Sequence, residues 1–187
     1  MIYMLIGVLG FISMLTFDLT SMKNHVVMKY FFGLLGLVLV TYSTFKIIEL
    51  GPDISVNIYT KYLGLVLAIV FFVLLIYSVF IEVGGNTYQK IAVPQLVTTG
   101  TYSLVRHPGV IWLFLAYFFS AVFFQNSVLV LTSIIWTGVN TLYIVLQEEL
   151  VLKKIFVNYE EYRRTTPMVI PNVTSFRKFI TIENWRK

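Results

Sequence analysis

The sequence predicts an all-α integral membrane protein, with five transmembrane helices and an amphipathic C-terminal segment at the cytoplasmic interface. Three observations carry this reading. Of 187 residues, 58% are hydrophobic and only 12% charged, where soluble domains carry about 25% charged residues. The apolar residues fall into five runs with polar ends, and the mean hydropathy is +0.82. The basic residues are distributed so that one orientation satisfies every loop.

A helix crosses a bilayer with about 20 apolar residues, and about 17 suffice. Residues 2–17 form a short first span, closed by Asp18 and the polar Thr20 and Ser21. This stretch lacks the basic n-region and small-residue cleavage site of a signal peptide, so a retained span is expected. Residues 26–48 form the second span, with Lys29 and Lys46 near its ends, where long stems reach the headgroups. Residues 62–81 form the third, 110–124 the short fourth and 128–146 the fifth. Gly7, Gly10, Gly33 and Gly36 suit close helix packing. One membrane domain, residues 1–187, accounts for the whole chain.

Residues 21–29, which join the first two spans and enter the second, carry Lys23 and Lys29 with no acid. Lys90 and Arg106 lie between the third and fourth, and 8 of the 14 Lys and Arg follow Glu149. Alternating these loops through five spans places the N-terminus outside the cell membrane and the C-terminus in the cytoplasm. The net charge of +5 therefore reads as a topology signal and a contact with anionic lipid, not nucleic acid. The chain has no cysteine and two distant histidines, which excludes disulfides, thiol nucleophiles and Cys-ligated metals, and offers no metal set. Asn172-Val173-Thr174 matches a glycosylation sequon, a chance match in a cytoplasmic tail.

Two polar clusters stand out against this background. Arg106-His107-Pro108 precedes the fourth span, and Gln147-Glu148-Glu149 ends the fifth. Only Gln125-Asn126-Ser127 joins these two spans, which makes them a tight antiparallel hairpin. From Asn126, His107 lies 19 residues back and Glu148 lies 22 forward. At 1.5 Å per residue the offset is about 4–5 Å, so Arg106, His107, Glu148 and Glu149 should share one rim. Ser133, Thr137 and Thr141 lie on the helical face that Glu148 continues, whereas Glu149 points elsewhere. For the hydroxyls alone, bonding to helix carbonyls is the simpler role; an acid continuing the stripe favours a polar pocket. Beyond the membrane, residues 148–164 alternate apolar Leu152, Ile155, Phe156, Tyr159 and Tyr162 with charged residues. This predicts an interfacial helix continuing from the fifth span, ended by Pro167 and Pro171.

The full pattern runs Gly100-x-Tyr102-x-x-x-Arg106-His107-Pro108, a hydrophobic hairpin, Glu148-Glu149-x-x-Leu152-x-x-x-Phe156-x-x-Tyr159-x-x-Tyr162, then Pro167-x-x-x-Pro171. It resembles the membrane methyltransferases of the isoprenylcysteine carboxyl methyltransferase and phospholipid N-methyltransferase group, over roughly residues 96–171. The resemblance implies S-adenosylmethionine as cofactor and a lipid or lipophilic acceptor. It places Gly100, Tyr102, Arg106, His107, Pro108, Glu148, Glu149 and Tyr159 around the cofactor, with Arg106, His107 and Glu148 as catalytic residues. The chemistry is compatible: a glutamate suits the cofactor's ammonium, Arg106 its carboxylate, and His107 can donate from a ring nitrogen. The family reads Arg-His-Pro-x-Tyr-x-Gly, whereas Val110 and Trp112 stand at the Tyr and Gly positions here. Membrane sterol reductases carry a similar C-terminal signature. An NADPH-dependent reductase and a catalytically inactive lipid-binding or partner protein are therefore the alternatives.

Overall fold

The computed structural model describes residues 1–22, 25–83 and 95–181. Lys23 and Lys90, used above for orientation, lie outside the described residues. Among the described residues there is no strand. An isolated antiparallel bridge joins Asp53 to Asn126.

Five long helices make the body. They are α1 (Ile2–Met22), α2 (Val26–Leu50), α3 (Ile58–Ile76), α4 (Pro108–Phe124) and α5 (Ser127–Gln147). Helix α3 runs on as a π-helical turn, Tyr77–Glu82, and α5 as another, Glu148–Leu152. Counting those extensions, four helices are long and apolar enough to cross a membrane, while α4 has 17 residues and is shorter. Their outward faces are apolar: Leu63, Val66, Ile69, Phe72 and Val73 on α3 are all exposed. A surface so continuously apolar is suited to lipid, not water.

Helix α1 packs along α2 and α3 along α4, and α5 joins the pairs by touching α4, α1 and the edge of α2. Gly10 and Gly36 set the first contact. A Cβ on Gly10 would stand 2.9 Å from the Gly36 carbonyl oxygen, and one on Gly36 2.8 Å from that of Gly10. Two backbones this close gain packing that larger side chains would forbid. At the junction of the pairs Trp136 is fully buried, edge-on to Phe11 and Tyr117, and its indole N–H donates to the Met4 carbonyl at 3.0 Å. That bond satisfies the one polar atom of the largest core side chain.

The α4–α5 hairpin is as tight as its three-residue loop demands. Gln125 ends α4 in the left-handed conformation, φ 55°. Asn126 caps α5 by accepting from Leu129 N at 2.9 Å, and its amide donates to the Ile47 carbonyl at 2.9 Å. With its backbone N–H donating to the Ala121 carbonyl of α4 at 3.0 Å, one residue ties three helices at this end.

Four features differ from the sequence reading. Helix α1 does not stop at Asp18. The carboxylate accepts from the Tyr143 hydroxyl at 2.5 Å and the Gln147 amide at 2.8 Å, so the acid is satisfied against α5 and the helix continues to Met22. The Ser133, Thr137 and Thr141 hydroxyls donate to carbonyls of their own helix, 2.6–2.8 Å away, and form no polar pocket. Residues 148–164 are not one interfacial helix. The π turn leads into a single turn, Lys153–Ile155, then a break, then α6 (Tyr159–Thr165). Val151, Tyr159 and Tyr162 are buried, so this segment folds back onto the bundle. Finally, Asn172 opens a further helix, α7 (Val173–Ile180), through a capping box with Ser175.

Candidate functional site

The site is built where α4 begins and α5 ends. Pro108 occupies the first turn of α4, where its missing N–H costs nothing, and His107 is the N-cap residue. The His107 side chain makes no capping bond. It turns toward α5, and its Nε2 lies 2.7 Å from Glu148 Oε1. Arg106 Nε donates to the same oxygen at 2.9 Å and Nη2 to Oε2 at 3.2 Å. Arg106 and Glu148 are 7% and 3% exposed, so the pair is sealed from water.

The C-terminal segment completes the enclosure. Arg106 Nη1 donates to the Arg163 carbonyl at 2.8 Å and the Thr166 carbonyl at 3.0 Å. The backbone N–H of Arg106 donates to Pro167 O and that of His107 to Met168 O, at 2.8 and 3.1 Å. Residues 163–168 therefore strap across the start of α4. The Tyr162 hydroxyl donates to the Tyr102 carbonyl at 2.7 Å. The Tyr159 hydroxyl faces the Glu148 carboxylate without the geometry of a hydrogen bond, and is buried with no partner. Burial and the neighbouring carboxylate push its pKa well above the ordinary phenol value. It is a neutral O–H held beside that carboxylate.

Arg106, His107 and Glu148 thus meet, as the hairpin arithmetic anticipates, and Tyr159 lies beside them. Glu149 does not join them. It is half-exposed and takes Lys153 Nζ at 2.7 Å and Arg163 Nη1 at 2.9 Å. One residue along a helix is about 100° of rotation, which turns its side chain outward. Tyr102 reaches the site only through Tyr162, and its own hydroxyl donates to Ser78 O at 3.2 Å. Val110 is 2% exposed, packed inside. Trp112 stacks on Phe71 of α3, with ring centroids 6.0 Å apart.

A second buried carboxylate, Glu82, escaped the sequence reading. It ends the π turn after α3 and is 3% exposed. The Thr101 N–H donates to its Oε1 at 2.8 Å, and the Thr101 hydroxyl donates to Oε2. Gly100 explains how the acid gets so close. Its φ is +59°, and a Cβ there would fall 1.7 Å from Glu82 Oε1. Residues 100–107 are therefore held from both sides, by Glu82 from α3 and Glu148 from α5. Both acids sit on π turns, a local widening frequent at functional sites. An acid closing an apolar run was the available signal for Glu82. The π turns left none.

An open apolar hollow of about 260 Å³ lies one helical turn beyond the site, lined by Val110, Ile111, Phe114, Thr137, Val169, Ile170 and Pro171. No group of three or more His, Cys, Asp or Glu able to hold a metal occurs among the described residues. Compared with family models, curated proteins and solved structures, the chain gives no match.

Proposed function

We propose that this protein transfers a methyl group from S-adenosylmethionine to a carboxylate or amine on a lipophilic or lipid acceptor, at the cytoplasmic face of the cell membrane. With five spans, α4 being the short one, the basic loops support an N-terminus outside and the Arg106 end in the cytoplasm. The observation that carries the reading is the convergence of Arg106, His107, Glu148 and Tyr159, the residues on which the resemblance to membrane methyltransferases rests.

The fit of the cofactor to these residues is selective. Both Glu148 oxygens are taken by Arg106 and His107, and the Arg106 guanidinium is spent on Glu148 and two carbonyls. These two are positioning residues in this geometry. His107, 11% exposed, has a second ring nitrogen, and Tyr159 has its unpartnered hydroxyl. Those are the groups that would hold the cofactor. S-adenosylmethionine supplies an electrophilic methyl on a sulfonium. The chain's part is to hold acceptor and donor in line and to exclude water. Glu148 fixes the His107 ring, and for an amine acceptor His107 is placed to take the proton that must leave. The apolar hollow beside α4 suits a lipid tail.

A second reading is favoured by one observation. Arg106 is so completely satisfied that the cluster works as a latch between hairpin and C-terminal strap, without turnover. Calorimetric titration of the detergent-solubilised chain with S-adenosylmethionine and with NADPH separates the readings. Methyl transfer from labelled cofactor into lipid extract, lost in His107→Ala, supports the methyltransferase. Binding of NADPH alone supports a reductase, and binding of neither leaves the latch.

A further inference from the structure

The helix α7 presents a face that no other segment covers among the described residues. Its sequence, Val-Thr-Ser-Phe-Arg-Lys-Phe-Ile, contains two cations and no acid. Ser175 is buried, and the helix rests on the turn Gly100–Ser103. On the far side Val173, Phe176 and Ile180 are 70%, 53% and 61% exposed. At about 100° per residue these three fall within an arc of about 60°. Arg177 lies about 40° beyond one edge of that arc, whereas Lys178 lies on the opposite side of the helix, and neither is paired with a carboxylate among the described residues.

We infer that α7 docks on an anionic lipid surface, with Phe176, Val173 and Ile180 inserted below the headgroups and Arg177 among their phosphates. Three features select lipid over other occupants. An apolar stripe with a cation at its border and none of its residues acidic fits a helix that lies in the plane of a bilayer. The helix sits at the end of the bundle where apolar α4 begins, so the membrane surface is its immediate neighbour. A second copy of α7 would set like charges face to face, which disfavours self-association. The capping box also matters: with Asn172 and Ser175 fixing the first turn, the face is formed before lipid arrives, and little ordering cost attends docking.

The consequence reaches the Arg106 site without depending on what that site does. Residues 167 and 168 pair with the backbone of Arg106 and His107, and α7 begins five residues after Met168. A docked α7 holds the strap against the start of α4.

The absence of cysteine makes the test direct. Bimane is attached to the Phe176→Cys variant of the full chain, reconstituted in nanodiscs of phosphatidylcholine with or without phosphatidylglycerol. A Val173→Cys variant serves as an independent reporter on the same face. The expected result is blue-shifted emission, quenched by lipid-phase nitroxide, in the anionic discs and weakly or not at all in the zwitterionic ones. Adding Arg177→Gln lowers the docked-to-free ratio by roughly fivefold, with the melting temperature unchanged, and Lys178→Gln, on the opposite side of the helix, lowers it less. Three results overturn the inference. They are water-exposed emission in both lipids, a shift only when two chains share a disc, and a shift in zwitterionic discs on adding soluble glycerol phosphate.

Discussion

Arg106 and Glu148, 42 residues apart, meet in a two-point ion pair of 2.9 and 3.2 Å at the open end of a helical hairpin, and both are almost wholly buried. The remaining Arg106 bonds go to carbonyls of residues 163 and 166, so one guanidinium joins α4, α5 and the C-terminal strap.

This pair should be a folding determinant. Removing one partner leaves the other charge buried and unpaired, at a cost of about 3–5 kcal/mol. Glu148→Gln and Arg106→Gln should each lower stability by about that amount in denaturant titrations. The double replacement Arg106→Met with Glu148→Met should lose much less than the sum. Additive losses would contradict the coupling.

His107 should behave differently. Its loss takes one hydrogen bond from a carboxylate that Arg106 still holds at both oxygens. His107→Ala is expected to keep a melting temperature near that of the parent while weakening S-adenosylmethionine. A hydrogen bond to a charged group is worth about 1.5–3 kcal/mol, or roughly 10–100-fold in affinity. Tyr159→Phe, which removes an unpartnered hydroxyl, should leave stability unchanged or raise it, and should weaken the cofactor if that hydroxyl meets it.

Gly100→Ala should be destabilising out of proportion to one methyl group. The new Cβ meets Glu82 and the left-handed φ disfavours a side chain, a conformational strain of about 1–3 kcal/mol before any clash. Adding Glu82→Ala to the same chain should recover part of the loss, because the carboxylate is the atom in the way. Thermal unfolding of the three variants measures this.

Asp18 and Tyr143, 125 residues apart in sequence, supply a test of how α1 is held to α5. A double-mutant cycle with Asp18→Ala and Tyr143→Phe should give a coupling of about 0.6–1.7 kcal/mol, the range for polar contacts between membrane helices. Zero coupling would mean the contact contributes nothing to the bundle.

Orientation is checked by labelling. Ser55 and Glu161 are exposed, and single cysteines there have no background to contend with. Ser55→Cys should react with an impermeant maleimide from outside intact cells, and Glu161→Cys only after permeabilisation. Reaction of both from one side would exclude the five-span arrangement. Asn126 is a poor position for this purpose, since it is 1% exposed and carries the hairpin tip.

The sequence by itself determined the apolar helices, the close packing at Gly10 and Gly36, the tight α4–α5 hairpin and the meeting of residues 106 and 107 with 148. These follow from local quantities. Hydropathy sets which segments leave water, and a fixed rise per residue across a three-residue loop sets which residues come level. Only the tertiary structure decided what the polar groups do once level. It carried α1 past Asp18, because partners for that acid lie more than a hundred residues away on α5. It made Glu148 the buried partner of Arg106. It broke residues 148–164 after the turn Lys153–Ile155 and folded Tyr159 and Tyr162 inward, which left the amphipathic face to α7. It also set Glu82 against Gly100. A hydropathy pattern records each residue's cost of leaving water. Whether that cost is offset depends on donors and acceptors brought by distant segments, and one-dimensional periodicity does not contain them.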